Sequence, residues 1–239
     1  MIHLPLLGPD SIAFPDIETA LEEPAGLLAF GGDLSSERLL AAYSSGIFPW
    51  YSEGQPILWW SPDPRMVIAT AAPHVPRRLR RWLKTCDWTI RTDHAFAEVM
   101  RACAEPRQEG DGTWITDVML EAYCHLHAEG HAHSLEVYEG DALVGGIYGI
   151  AIGRMFFGES MFSRRSSASK VALLCLCHGL AAQGFPLLDA QVCSAHLETL
   201  GAQSMSRAEF RREITKLCSQ RGISGNWAGL FDNIEPRNL

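Results

Sequence analysis

The sequence predicts an α/β chain of the α+β kind in two parts, a small N-terminal domain over residues 1–66 and a mixed-sheet domain over residues 67–239. Three observations carry that reading. Pro62, Pro64 and Pro73 cluster at a boundary near residues 62–72. From Ser134 to Phe162, SLEVYEGDALVGGIYGIAIGRMFFGESMF reads as three strands, with Glu139-Gly140-Asp141 as one hairpin turn and Gly153-Arg154 near the next. A helix from about Ser166 to Gln183, stopped by Gly184, then leads into the apolar strand FPLLDAQV. Strand, helix and strand in that order imply a right-handed parallel crossover beside the hairpins.

The other elements follow in order. Asp33-Leu-Ser-Ser caps a short helix through Ser45 that turns Leu39, Leu40 and Tyr43 to one face and stops at Gly46. Pro76 starts a second helix, PRRLRRWLK. Thr116 caps a third, with Met119, Ala122, Tyr123 and Leu126 at helical spacing and Gly130 at its end. Ser206 and Glu209 form a capping box for a last helix carrying Phe210, Ile214 and Leu217. The tail after Trp227 is irregular.

Composition excludes several classes. Apolar content of 47% with 20% charge is that of an ordinary globular protein. No run approaches the ~20 apolar residues of a membrane span. The start lacks the basic and apolar regions of a signal peptide. Seven cysteines without a CxxC pair argue against a disulfide framework or zinc cage, so a cytoplasmic, reduced protein is expected. Residues 1–60 carry eight acids against Arg38 alone, a net of −7 out of −8 for the chain.

Two stretches point to a ligand. Tyr43 to Arg65, YSSGIFPWYSEGQPILWWSPDPR, interleaves six aromatic residues with prolines. Such a stiff loop can build an aromatic wall for a base or side chain, or a satellite core. In PRRLRRWLK, Arg77, Arg78, Arg80, Arg81 and Lys84 cover most of a helix, with Leu79, Trp82 and Leu83 left to pack. A solvated face is the plain reading. In an acidic chain the patch is also a natural place to meet a phosphate backbone.

Antiparallel strands, a crossover helix and a further strand make up an acetyltransferase-like (GNAT-like) sheet, but SRRSSASK at the helix start has no glycine-rich pyrophosphate turn, which disfavours coenzyme A. Six segments then decide the family: GGDLSSERLLAAYSSGIFPWY, WWSPDPR, Asp111-Gly-Thr-Trp114-Ile-Thr116, Phe157-Gly-Glu159-Ser160-Met161-Phe162-Ser163-Arg164, Asp189-Ala-Gln191, and His196-Leu-Glu-Thr-Leu-Gly-Ala. In this order, from about Gly31 to Ala202, they closely resemble the leucyl/phenylalanyl-tRNA–protein transferases. The resemblance implies a small N-terminal domain joined to a GNAT-like one, and transfer of Leu or Phe, with Met as a further candidate, from aminoacyl-tRNA to proteins that begin with Arg or Lys, marking them for degradation. It implies no metal, no organic cofactor and no membrane partner; a monomer is expected.

By the same resemblance Asp189 and Gln191 match the catalytic pair. At i and i+2 on one strand they are expected to face the same side, Asp189 orienting and polarising Gln191 beside the attacking amine. Glu159 matches a residue that holds the substrate amine or ribose rather than acting as a base; a salt bridge to Arg164 or Arg165 is its structural alternative. Trp50 and Trp114 match the walls of the terminal adenosine site, with Tyr43 in the same substrate-binding set. Met161, Phe162 and Ile147 are candidates for the side-chain pocket, half of them expected to be core. Arg77, Arg78, Arg80, Arg81 and Lys84 are the tRNA-binding candidates. The chemistry asks for little more. An aminoacyl ester is already activated, and about a tenth of an α-amine is neutral at pH 7. A proton acceptor and a stabiliser for the developing oxyanion suffice.

His125, His127, His131 and His133 form an HxH…HxH pattern that suggests a metal. His125 and His127, two apart on a helix, face different ways, so a structural or solvated role is expected. Cys175 and Cys177 read as core, and Cys193 lacks an acid–base partner. Two alternatives stand beside the transferase: a longer, two-domain type of aminoacyl-tRNA transferase that builds peptidoglycan cross-bridges, and a non-catalytic binder of basic N-terminal peptides.

Overall fold

Two sheets divide the chain in the computed structural model, which describes residues 4–9, 11–105 and 114–239. The first is four-stranded, built from β1 (Leu6–Leu7), β2 (Leu27–Gly31), β3 (Phe48–Pro49) and β4 (Leu58–Trp60) in the order β1-β2-β4-β3. Helix α1 (Ser36–Ser44) lies between β2 and β3. Its N-cap position is Ser35, and Asp33 shapes the entry by accepting the Ser35 amide at 2.9 Å. The second sheet begins with β5 (Arg65–Ala69), immediately after the proline-marked junction.

Helix α2 (Arg77–Leu83) follows, then β6 (Thr89–Thr92), α3 (Phe96–Ala104) and α4 (Asp117–Ala128). The Thr116 hydroxyl accepts the Met119 amide at 3.3 Å, and Gly130 ends the turn at φ +79°, as expected for α4. The hairpin strands are β7 (Ala132–Glu139), β8 (Ala142–Ile152) and β9 (Met155–Ser163). Helix α5 (Ala168–Ala182) crosses over to β10 (Leu187–Gln191), and α6 (Ala195–Glu198), β11 (Gln203–Met205) and α7 (Arg207–Cys218) complete the chain. The capping box of Ser206 and Glu209 is present at the start of α7.

The seven strands run in the order β11-β5-β10-β9-β8-β7-β6. Neighbours are antiparallel except β9 and β10, the pair that α5 joins. The expected three-stranded meander and parallel crossover are therefore both there. Helices α3 and α4 cover one face and share their core with the N-terminal sheet, α1 and α7; α2, α5 and the C-terminal tail cover the other. Among the described residues no helix is long and apolar enough to cross a membrane.

The ladder between β9 and β10 ends early. Its last pair is Phe157 with Asp189, and beyond it the strands part. Two bulges sit at this level. Tyr148 pairs with Ser160 and Gly149 with Gly158, so Glu159 is the extra residue on β9. Asp189 pairs with Val67 and Gln191 with Met66, so Ala190 is the extra residue on β10. Gly149 is needed there, because a Cβ would lie 2.2 Å from the Phe157 carbonyl oxygen and 2.6 Å from the Phe156 ring. Bulges bend a strand and re-aim its side chains, often beside active sites.

Candidate active site

A cavity of about 350 Å³ opens where β9 and β10 part, between Phe48, Pro49, Trp50 and Trp114 on one side and Glu159, Met161, Gln191 and His196 on the other. The aromatic stretch divides between core and cavity wall. Tyr43, Phe48 and Trp59 are core residues, and the Trp59 indole nitrogen donates to the Gly31 carbonyl at 2.9 Å. Trp50 is 42% exposed. It is steadied by Trp60, whose indole nitrogen donates to the Trp50 carbonyl at 2.7 Å and whose ring lies 5.6 Å away. Trp114 reaches the cavity too; its motif partners Asp111, Gly112 and Thr113 lie outside the described residues.

Glu159 is the hub of the floor. Its Oε1 accepts from the Tyr43 hydroxyl at 2.6 Å and from Gln191 Nε2 at 2.7 Å. Its Oε2 accepts from the Tyr123 hydroxyl at 3.3 Å, and the two tyrosine oxygens lie 2.5 Å apart. Burial outweighs these donors and pushes the Glu159 pKa up to about 8. The salt-bridge alternative does not form: Arg164 pairs with Glu105 at 2.5 Å and Arg165 with Glu139 at 3.0 Å.

The i, i+2 expectation for Asp189 and Gln191 is corrected by the bulge at Ala190. Gln191 adopts φ +62° and sends its carboxamide to Glu159. Asp189 is fully buried behind the floor and does not line the cavity. Its Oδ1 accepts the Gln191 backbone amide at 2.9 Å, so it holds Gln191 through the main chain and not through the carboxamide. Both Asp189 oxygens also face Arg65, at 2.9 Å from Nε and 2.6 Å from Nη2. Arg65 received no role from the sequence, although a lone charge heading the apolar strand RMVIA needs a buried partner. Tyr123 was read only as a core position of its helix; a buried phenol on an apolar face needs an acceptor, which was the available signal.

Met161 lines the cavity. Ile147 pairs with it across the strands but is buried in the core against α5, and Phe162 is buried on the other face beside Val99. Neither lines the cavity. Arg77, Arg78, Arg80, Arg81 and Lys84 are all exposed, and none takes an ion-pair partner among the described residues. The segment before their helix is tied to the α6 segment. His74, just before the helix, donates its amide to the Leu200 carbonyl at 2.9 Å, and Leu200 closes the α6 segment that carries His196. Burial and the charge of Lys170 lower the His196 pKa.

The histidine pattern resolves into a clamp. His127, His133 and Asp93 come within 4.8 Å of one another. The Nδ1 atoms and the carboxylate are already engaged, while His133 Nε2 is buried without a hydrogen-bond partner among the described residues: His133 Nδ1 donates to Asp93 at 2.8 Å, His127 Nδ1 meets the Ala132 carbonyl at 2.8 Å, and Asp93 accepts the Ser134 and Trp227 amides at 2.9 and 2.7 Å. The cluster pins the C-terminal tail to β7. Exposed His125 instead faces Glu129 at 3.3 Å.

Two family models match the chain. A model of the leucyl/phenylalanyl-tRNA protein transferase N-terminal domain matches residues 32–63, and one of leucyl/phenylalanyl-tRNA protein transferase matches residues 67–215. The leucyl/phenylalanyl-tRNA–protein transferase of Xanthomonas campestris pv. campestris (strain B100) is 57% identical over 236 residues, 98% of this chain and 95% of that protein. That of Xylella fastidiosa (strain 9a5c) is 53% identical over 242 residues, all of both chains. Among solved structures, L-PGS from Bacillus licheniformis is similar with a TM-score of 0.44 at 9% identity, covering 82% of this chain and 74% of that one, a likeness too slight to bear on the site. With both of its halves matched and relatives aligned over nearly its whole length, the chain belongs to the leucyl/phenylalanyl-tRNA protein transferase family.

Proposed function

We propose that this chain moves leucine or phenylalanine from aminoacyl-tRNA to the N-terminal amine of proteins that begin with Arg or Lys, marking them for degradation. The observation that carries the proposal is the meeting of Glu159 and Gln191, 2.7 Å apart, on the floor of a cavity walled by Trp50 and Trp114 in a chain of this family. The terminal adenosine stacks on the tryptophans, and the aminoacyl side chain lies toward Met161. An apolar pocket separates side chains that differ by a methylene only about 10- to 200-fold, which suits loose selectivity. The tRNA body rests on the α2 cations, and the acidic first 60 residues attract the basic end of the acceptor. The reaction is cytoplasmic and needs one copy of the chain and no cofactor.

In the transfer step the neutral α-amine attacks the ester carbonyl carbon. A C–N bond forms, the C–O bond to the ribose breaks, and the ribose hydroxyl leaves with a proton. Gln191 spends an Nε2 hydrogen on Glu159, so its Oε1 faces the amine as an acceptor. The pKa of about 8 at Glu159 lies close to the 7.7–8.0 of an α-amine, a match that lets a proton pass between them at little cost. Asp189 touches no substrate in this scheme; it keeps Gln191 in place.

The test is transfer of labelled leucine from charged tRNA to a peptide beginning with Arg and to one beginning with Glu. The wild type should serve the Arg peptide alone, and folded Gln191→Ala should lose a hundredfold or more, about 3 kcal/mol. No transfer by the folded wild type overturns the proposal. Equal use of both peptides overturns its acceptor specificity.

A further inference from the structure

Arg65 is nearly as enclosed as a side chain can be, at 1% exposure beside an Asp189 at 0%. Its guanidinium is held on every side. Nε and Nη2 grip both oxygens of Asp189, and Nη1 donates to the Gly46 carbonyl at 3.0 Å. The Phe48 and Phe210 rings lie over it at 4.8 and 4.6 Å. A buried ion pair is a poor stabiliser compared with apolar residues of the same shape, so its presence asks for a reason other than stability.

Two connections supply that reason. Asp189 Oδ1, fixed by Arg65, accepts the amide of Gln191, a residue held at φ +62°, where a side-chain-bearing residue persists only if its surroundings enforce it. On the opposite side, Gly46 and Phe48 begin the run that continues through Pro49 to Trp50 and walls the cavity. One planar fork is thus tied to the strand that presents the carboxamide and to the loop that presents the aromatic wall. Lysine offers a point charge in place of this fork and cannot reproduce the arrangement.

We infer that Arg65 is a positioning residue for the transfer reaction, setting where the Gln191 carboxamide stands relative to the Trp50 wall. The inference rests on the function proposed above, and two measurements test it. Arg65→Lys should lower kcat for transfer 10- to 100-fold while the KM for aminoacyl-tRNA changes less. In a Gln191→Ala background the same substitution should leave the residual rate within twofold, because the group it positions is gone. An equal loss in both backgrounds overturns the inference. The second measurement needs no turnover. Gln191 is one of the donors that lower the Glu159 pKa, so the Glu159 titration, followed by 13C NMR of its carboxyl, should move upward in Arg65→Lys as it should in Gln191→Ala. An unmoved titration in the folded variant overturns the inference. Should Arg65→Lys fail to fold, the paired swap Arg65→Met with Asp189→Leu removes the clamp while filling its space, and its loss of kcat, compared with and without Gln191→Ala, decides. A wild type that folds but transfers nothing would overturn the transferase reading, and the titration would still judge the Arg65 clamp.

Discussion

Replacing Glu159 by Gln should make the empty protein more stable as pH rises, while it impairs transfer. Gln keeps an acceptor oxygen for Tyr43 and Gln191 and gains an amide that can donate to the Tyr123 hydroxyl, so the hydrogen bonds survive. What changes is the linkage to protons. The folded carboxyl keeps its proton up to about pH 8, whereas the unfolded one loses it near the usual value of 4.5. Between these values the unfolded chain binds fewer protons, so this group's contribution to stability falls as pH rises. At 1.36 kcal/mol per pKa unit the penalty grows by about 3.5 kcal/mol from pH 5 to pH 8. Water reaching Glu159 from the cavity trims this to about 3 kcal/mol. For a chain of this size that is about 6–12 °C in Tm. The assay is thermal or urea unfolding of both proteins at pH 5 and pH 8. The gap between them should open with pH, because every other titrating group cancels in the comparison. A gap of constant size would refute the buried, protonated carboxyl, and with it the matched proton transfer.

Other outcomes follow from the same structure. Trp50→Ala and Trp114→Ala should each weaken aminoacyl-tRNA by about 1–3 kcal/mol, roughly 5- to 150-fold in KM; an unchanged KM would remove base stacking from the scheme. Arg77→Glu with Arg78→Glu should flatten the salt dependence of tRNA binding by about two units of slope while transfer from aminoacyl-adenosine stays the same; an unaltered slope would show a solvated face. Gly149→Ala should destabilise the fold by about 1–3 kcal/mol or more, read as a lower urea midpoint, because its methyl has no room beside the Phe157 carbonyl.

Local sequence signals located α1, α2, α4, α5, α7 and β7–β10, because each rests on short-range chemistry, while β1–β6, α3, α6 and β11 went unread. Thr116 capping α4, the Ser206–Glu209 box and the β7–β8–β9 turns need only neighbours within a few residues. The cavity walls were legible for another reason. Trp50 and Trp114 sit in motifs that resemble the family's, whereas size alone would not have told them from Trp59, which is core. What escaped the sequence is what depends on partners far along the chain. Arg65 and Asp189 lie 124 residues apart, each a lone charge in an apolar strand, and nothing local pairs them. The period-two rule misplaced Asp189 because it assumes an unbroken ladder, and a bulge leaves no mark in composition. Ile147 and Phe162 were apolar and near the right strand end, which cannot separate lining residues from those one layer behind.

The facing bulges at Glu159 and Ala190 have a consequence for how such a site can be lost. Where side chains alternate, position along a strand is a matter of counting, and each bulge is one residue added to the count. Deleting Ala190 would change no residue proposed to touch substrate. It would restore the simple alternation of β10 and leave Gln191 one step out of register with Glu159, on a strand whose apolar pairing could still form. The active centre is therefore written in the number of residues between its parts as much as in their identity. A frame-preserving deletion of one small alanine should be as damaging here as the loss of the glutamine itself.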